Sequence, residues 1–223
     1  MTTENSLYLQ PTPIIDADDP AVIDFARNTA DGAVNAAEQA VRFYYAVRDG
    51  IRYDPYAIDL TAEGLRAGRT LAAGRGWCVA KAVLLAACCR SHGIPARLGF
   101  ADVRNHLSTE RLRAQMKTDI FHWHGYTSIF INGAWVKATP AFNIELCERF
   151  RIRPLEFDGT ADSLYHPFDL KGNRHMEYLS HRGEFADVPV DAIIKTFMRA
   201  YSPDPSLGGA DFDRDVDAET AGS

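Results

Sequence analysis

The sequence lacks a long hydrophobic run and a leader-like beginning. Its longest apolar stretch, residues 82–89, makes about two helical turns, whereas a membrane-spanning helix needs about 20 apolar residues. The first 19 residues, MTTENSLYLQPTPIIDADD, contain no basic segment followed by an apolar one, which is the pattern of a secretory signal peptide. We therefore expect a cytoplasmic protein that does not bind a membrane.

Positive charge is also scarce. The chain has 24 Lys and Arg against 30 Asp and Glu, a net charge of -6, and its arginines are scattered among acidic residues. Binding to a phosphate backbone requires clustered Lys and Arg, so we do not expect a nucleic acid partner. The hydrophobic content of 46% is ordinary for a globular domain that buries a core.

Cysteines are few, and they are Cys78, Cys88, Cys89 and Cys147. The vicinal pair inside a predicted helix does not fit a disulfide framework, and no CxxC pair is present for zinc. His122 and His124 could bind a metal, but no third ligand lies at a suitable spacing. We therefore predict reduced thiols, no metal and no cofactor.

The length of 223 residues fits one domain. Residues 1–19 contain prolines and read as an extended lead-in. Residues 20–201 carry the predicted helices and strands and form the domain. Residues 202–223, SPDPSLGGADFDRDVDAETAGS, are acidic and contain Pro and Gly, so we predict a disordered tail.

An unusually apolar helix is predicted from Trp77 to about residue 91. Lys81 and Arg90 are its only charged residues, and apolar residues occupy nearly every direction around its axis. A helix of this kind is buried on most of its sides. It is therefore expected at the centre of the domain.

Three strands are predicted after this helix, over residues 96–103, 121–131 and 134–139. Between the last two lies Asn132-Gly133, a strong signal for a two-residue hairpin turn. The polar residues 104–119 are predicted to form a helical excursion over the surface. The strands after the helix thus provide an antiparallel pair.

Cys78 is the candidate nucleophile because it follows a glycine-bearing loop at the first turn of the apolar helix. Backbone N–H groups and the helix dipole favour a thiolate there, so we expect its pKa to lie below that of a free thiol. The same N–H groups could bind an oxyanion. The competing interpretation is that a cysteine is a small core residue, which we apply to the other three.

A nucleophilic thiol needs a base from elsewhere in the chain. His122 and His124 lie two residues apart in a predicted strand, and regular alternation would direct both to one face. Either could supply the base, although a histidine in a strand often has a structural role.

These segments together resemble the transglutaminase-like superfamily. The resemblance covers about residues 40–141 and rests on GRGWCVAKA at 74–82, GIPARLG at 93–99, and His124 followed by the hairpin, Trp135 and Thr139-Pro140. It implies an α+β, papain-like fold in which the helix with the cysteine packs on an antiparallel sheet. It also implies Cys78 as nucleophile and His124 as base, since His122 does not fit the spacing to Trp135.

One position departs from the family pattern. Thr139 stands before Pro140, where relatives usually have an aspartate that completes the triad. A threonine hydroxyl can accept a hydrogen bond from imidazole, but it cannot stabilise imidazolium by charge. Asn143 is the alternative third member, since an Asn has this role in papain-like proteases. Asp102 and Asp119 are weaker candidates, because only their charge suits the role.

Aromatic residues beside these positions could bind substrate. Trp77, Trp123 and Tyr126 are predicted to wall the cleft, although each could equally be a core residue. By analogy with relatives, the segment from Tyr53 to Tyr56 could also line the site.

The resemblance implies a thiol-dependent acyl-transfer enzyme that hydrolyses a peptide or amide bond through a Cys78 thioester. Protein cross-linking is less expected, since no calcium loop of the DxDxDG type is present. The alternative is a catalytically inactive binding protein, which Thr139 favours. A third possibility, arylamine N-acetyltransferase-like chemistry, has its Arg-Gly-Gly-x-Cys run only half matched by residues 75–78. The sequence carries no signal for an oligomeric state.

Overall fold

The structure is a computed structural model that describes residues 3–105, 108–165, 170–172, 176–201 and 210–221. Its main sheet is built from β3 (Ala96–Asn105), β4 (Ile120–Ile131), β5 (Ala134–Ala138) and β6 (Met176–Phe185). The strands lie in the order β5-β4-β3-β6, and every neighbouring pair is antiparallel. Two short strands, β1 (Arg52–Tyr53) and β2 (Arg75–Gly76), pair in parallel outside this sheet.

Helices are distributed along the whole chain. They are α1 (Thr3–Ser6), α2 (Pro20–Ala30), α3 (Ala36–Gly50), α4 (Ala67–Ala73), α5 (Cys78–Ser91), α6 (Glu110–Met116), α7 (Ile144–Phe150), α8 (Val190–Ala200) and α9 (Phe212–Thr220). Within the described ranges, none of these helices has the length and apolar character that crossing a bilayer requires.

The apolar helix α5 lies at the centre of the fold, and all its residues from Cys78 to Arg90 are buried. It packs on β3 and β4 on one side, and α2, α3 and α4 contact it as well. The Thr127 hydroxyl of β4 donates a 2.8 Å hydrogen bond to the Ala82 carbonyl of α5. The predicted α+β architecture, with the nucleophile helix packed on an antiparallel sheet, is therefore confirmed.

The predicted hairpin between β4 and β5 is also confirmed. Asn132 and Gly133 both adopt positive φ angles, 52° and 85°, as a type I′ turn requires. The turn sets the register in which Phe130 lies opposite Trp135. This register brings the end of β5, and with it Thr139, alongside the middle of β4.

A β-bulge interrupts β4 next to the predicted base. Ala101 of β3 pairs with His124, but Val103 pairs with Phe121, so the register shifts between them. Trp123 in the bulge has φ 60°, a left-handed conformation that is strained for a bulky residue. The expectation that His122 and His124 share one face assumed regular alternation, and the bulge breaks that alternation.

The first 19 residues are not a simple extended lead-in, and that prediction is wrong. Beyond α1, a 3-10 turn covers Leu7–Leu9, and Ile14 and Ile15 are buried in the core. The buried Asp16 carboxylate accepts a 2.7 Å hydrogen bond from the Ala67 N–H at the start of α4. Two apolar residues and one capping carboxylate thus tie this segment to the domain.

The predicted disorder of the tail is likewise wrong for residues 210–221, which contain α9. Asp211 caps this helix by accepting a hydrogen bond from the Arg214 N–H, and Phe212 and Val216 are buried. These two residues are one helical turn apart and bury one apolar edge of an otherwise acidic helix. The rest of the predicted tail, residues 202–209 and 222–223, lies outside the described residues.

Candidate active site

Cys78 is the first residue of α5, and its side chain is 6% exposed. Burial raises the pKa of its thiol to about 11, although the backbone N–H groups of Gly125, Val79 and Cys78 itself lower it in part. The expectation of a pKa below that of a free thiol is therefore wrong for this arrangement. Removal of the sulfur from water outweighs the helix N-terminus, so Cys78 is a neutral thiol at pH 7 here.

Strand β4 passes directly over the first turn of α5. A Cβ atom added to Gly125 would lie 3.0 Å from the Cα atom of Val79, so a glycine permits this close approach. The Gly125 N–H also interacts with the Cys78 sulfur. Because His124 precedes Gly125 in β4, the fold brings the strand that carries the predicted base against the predicted nucleophile.

His124 is 5% exposed and lines a small cavity of about 10 Å³ measured for a water-sized sphere. This volume is at the lower limit for one water molecule. The other residues that line it are Thr139, Ala141, Phe142, Leu155, Leu164, Tyr165 and Met176. The structure thus brings His124 and Thr139 to one cavity, as the family pattern predicts.

The Thr139 side chain does not complete a triad in this arrangement. Its main chain is held by a 2.9 Å hydrogen bond from its N–H to the Ser163 carbonyl. Its hydroxyl oxygen is buried and has no hydrogen-bond partner among the residues that the structure describes. A hydroxyl therefore faces the cavity of His124 without orienting the imidazole.

Asn143, the alternative third member, has other partners. Its carbonyl oxygen accepts a 3.0 Å hydrogen bond from the Tyr53 N–H, and its amide nitrogen donates one of 2.7 Å to Glu145. It therefore links the start of α7 to β1. Asp119 forms a 3.0 Å ion pair with Arg104 on β3, so neither residue is observed to orient His124.

Asp102 lies beside the bulge and pairs with His122, not with His124, the predicted base. Its carboxylate accepts two hydrogen bonds from the Arg182 guanidinium, at 2.5 and 2.7 Å, and lies 3.1 Å from His122 Nδ1. Burial opposes ionisation, but Arg182 and His122 outweigh it and lower the pKa of Asp102. Asp102, His122 and Arg182 thus form a separate charged cluster, in which Asp102 also accepts a hydrogen bond from the Trp123 N–H.

Comparison with known families identifies the family of the chain. The family model of the transglutaminase-like superfamily matches residues 23–140, which is more than half of the chain and includes Cys78, His124 and Thr139. The chain belongs to the transglutaminase-like superfamily. No curated protein shows a significant sequence match to it.

Two solved structures were found to be similar to this transglutaminase-like chain, to different degrees. One is a protein from Cytophaga hutchinsonii, provisionally named a cysteine protease, with 14% identity and a TM-score of 0.50 over 83% of this chain. This chain spans 55% of that protein's length. A protein from Parabacteroides distasonis ATCC 8503, provisionally named a protease, has 15% identity and a TM-score of 0.39, and the match covers 57% of this chain and 26% of that one. At these identities the first likeness concerns the fold.

Three tyrosines lie within electrostatic reach of Cys78, the predicted nucleophile of this superfamily member. Tyr53 of β1, Tyr178 of β6 and Tyr201 after α8 are each close enough that charge on Cys78 raises their pKa, in addition to the larger effect of burial. The Tyr178 hydroxyl is buried with no hydrogen-bond partner among the described residues. Tyr53 belongs to the segment that was predicted from the sequence to line the site, whereas no sequence motif predicts that Tyr178 or Tyr201 lies near Cys78.

The predicted cleft aromatics Trp77, Trp123 and Tyr126 are all buried. The Trp77 ring packs against Phe197, and Trp123 Nε1 donates a 2.9 Å hydrogen bond to the Thr196 hydroxyl, so both contact α8. The Tyr126 ring lies across Gly99 of β3, and its hydroxyl donates to Glu184 at 3.2 Å. In this arrangement their contacts are those of core residues, and a role in binding substrate stays a prediction.

Proposed function

We propose that the protein is a thiol-dependent acyl-transfer enzyme that hydrolyses a peptide or amide bond, with Cys78 as nucleophile and His124 as general base and acid. The observation that carries this proposal is the close packing of β4, the strand that bears His124, on the first turn of α5, where Cys78 lies beside the backbone N–H groups of the helix start. Backbone donors placed in this way stabilise negative charge on sulfur and on a neighbouring carbonyl oxygen. The proposed location is the cytoplasm.

In the proposed reaction the Cys78 proton passes to His124, and the sulfur forms a bond to the substrate carbonyl carbon. The C–N bond then breaks as His124 returns the proton to the leaving nitrogen, which leaves a thioester on Cys78. Water deprotonated by His124 attacks the thioester and releases the carboxylic acid and the free thiol. Cross-linking would need an amine in place of this water.

A catalytically inactive binding protein is the second candidate. The neutral hydroxyl of Thr139 cannot offset the charge of imidazolium. The raised pKa of Cys78 also means that little thiolate is present while the site is covered. Retention of both Cys78 and His124 supports the enzyme instead.

Alkylation kinetics distinguish the two candidates. We expect iodoacetamide at neutral pH to modify Cys78 faster than Cys88, Cys89 and Cys147, with peptide mapping by mass spectrometry as the measurement. His124→Ala should slow the modification of Cys78, because the thiol loses its proton acceptor. The matched control, His122→Ala, removes a histidine two residues away and should leave the rate unchanged. Equal rates for Cys78 and the other thiols, or no effect of His124→Ala, would favour the binding protein.

A further inference from the structure

The acidic helix α9 is held by arginines that come from three separate elements. Asp213 pairs with Arg149 of α7 at 2.6 Å and with Arg52 of β1 at 3.0 Å. Asp217, one turn later, pairs with the same Arg149 at 3.1 Å. Two carboxylates of the helix thus share one guanidinium, which fixes the direction of α9 along α7.

A second set of contacts holds the middle of α9. Asp215 accepts hydrogen bonds from Arg111 of α6 at 2.7 Å and from the Tyr56 hydroxyl at 2.9 Å. The Phe212 ring packs edge-on against Tyr56 at 5.3 Å and against Tyr53 at 5.9 Å. We call the residues that receive the helix the α9-binding surface; they are Arg52, Tyr53, Tyr56, Arg111 and Arg149.

The α9-binding surface is continuous with the candidate active site. The Tyr53 ring, which touches Phe212 on one side, packs at 4.8 Å against Phe142 on the other. Phe142 lines the cavity of His124 and Thr139. Burial raises the pKa of the Tyr53 hydroxyl, and negative charge on Cys78 raises this pKa further. One aromatic side chain therefore contacts both the docked helix and a residue that lines the cavity of His124.

The attachment of α9 is suited to reversal. The side chains of Arg52 and Asp217 are 62% and 65% exposed, and ion pairs exposed to this degree contribute little and weaken with salt. A helix of this length is not stable by itself in water. A cavity of about 470 Å³ remains between the first residues of α9 and Arg52, Asp54 and Arg75. The helix thus leaves unfilled space beside the surface that it covers.

We propose that residues 210–221 are a ligand bound in cis, and that their release exposes a peptide-binding surface leading to Cys78. The segment that this surface fits is an aromatic residue followed within about one helical turn by two or three carboxylates. The aromatic residue takes the place of Phe212 between Tyr53 and Tyr56, and the carboxylates pair with the three arginines. This inference rests on the proposed function, because it makes the bound segment part of the substrate.

Peptide binding tests the surface without any need for catalysis. The probe is a fluorescent peptide with the sequence of residues 210–221, and the measurement is fluorescence anisotropy with the full chain. The double substitution Asp213→Arg and Asp217→Arg places charges of the wrong sign opposite Arg149 and should release α9. We expect this variant to bind the peptide at least about tenfold more tightly than the wild type, because the wild-type surface is occupied. Ala218→Arg, at an exposed position of α9, is the matched control and should behave as the wild type does.

Two further arms make the test specific. Adding Arg149→Glu to the release variant makes the charges of α9 and α7 complementary again, so α9 should return to the surface and peptide binding should fall to the wild-type level. A peptide with Phe212→Ala should bind the release variant weakly. Equal binding of all peptides by all variants, with folding verified by circular dichroism, would overturn the proposal.

Cys78 alkylation separates this inference from the proposed function. The release variant should react with iodoacetamide faster than the wild type, because Tyr53 loses its packing against Phe212 and the buried site becomes easier to open. If the peptide binds tightly but His124→Ala does not change the alkylation rate, the acyl-transfer proposal is wrong and the surface is still a peptide-binding site. Fast, His124-dependent alkylation without peptide binding would overturn the surface and retain the enzyme.

Discussion

Thr139 is the residue on which the proposed activity of Cys78 and His124 should depend most. It lines the cavity of His124, as the residue in the third position of the family should, but its hydroxyl is not hydrogen-bonded to any described residue. Asn143, which could have replaced it, instead accepts the Tyr53 N–H and so holds β1 beside Cys78. At the residue scale, the proposed nucleophile and base therefore have a neutral group, Thr139, at the third position of the family pattern.

Thr139→Asp should strengthen the pair formed by Cys78 and His124. A carboxylate at this position would stabilise imidazolium, so thiolate would persist at lower pH. We expect alkylation of Cys78 at about pH 6 to become about tenfold faster, measured from the pH profile of the iodoacetamide rate. Thr139→Asn, with similar shape and no charge, is the control and should give no such increase. An unchanged profile in a folded Thr139→Asp protein would mean that this position does not act on His124.

The contact between β4 and α5 is the element-scale feature that assembles the site. Gly125 allows the strand to lie against Val79, and the bulge at Trp123 changes the register just before His124. Bulges often redirect a side chain beside a functional site. Here His122, on one side of the bulge, contacts Asp102, whereas His124, on the other side, lines the cavity beside Thr139.

Gly125→Ala should separate the strand from the helix. The added Cβ atom would lie 3.0 Å from a backbone atom of Val79, so one element must move. We expect a loss of about 1–2 kcal/mol in the free energy of unfolding, measured by urea denaturation, and slower alkylation of Cys78 as its backbone donors move away. Gly50→Ala is the control, because an added Cβ there meets no atom within 4 Å. Stability and alkylation equal to the wild type would show that the contact tolerates a methyl group.

At the scale of the whole molecule, a buried lysine links stability to pH. Lys81 is 0% exposed, and its amine donates to the backbone carbonyls of Arg48 and Ile51 at the end of α3. Burial lowers the pKa of Lys81 to about 7 from its ordinary value of 10.5. Between these two pH values the unfolded chain holds a proton on Lys81 that the folded chain has lost. Stability contributed by Lys81 is therefore present at high pH and is lost as pH falls towards 7.

We predict that the free energy of unfolding rises between about pH 7 and pH 9 by up to about 1.4 kcal/mol per unit, relative to Lys81→Met. Urea denaturation of both proteins at several pH values is the measurement. The methionine variant is the control because it keeps all cysteines and tyrosines, so their titration cancels when the two free energies of unfolding are subtracted. It should also be less stable by about 1–3 kcal/mol at pH 9, since two buried carbonyls lose their donor. If the stability of the two proteins changes with pH in parallel, the lowered pKa of Lys81 is wrong.

The sequence by itself determined the features that short windows encode. The all-round apolar pattern predicted a buried α5, Asn132-Gly133 predicted the hairpin, and the order of the Cys, GIPAR and His segments predicted the superfamily. The first two depend on residues near one another in the chain, where periodicity and φ preferences act, and the third depends on the order of three short segments. These features are enough to bring β4, with its His124, to the start of α5.

Tertiary structure alone decided what surrounds the thiol. Tyr53, Phe142 and Phe212 are far apart in the sequence, and the path of the chain brings the Tyr53 ring into contact with the other two. Residues 210–221 are acidic, which predicts disorder when they are considered alone, but arginines of three other elements offset that charge. The pKa of Cys78 follows the same rule, because its helix position predicts a low value and the burial created by the whole fold raises it.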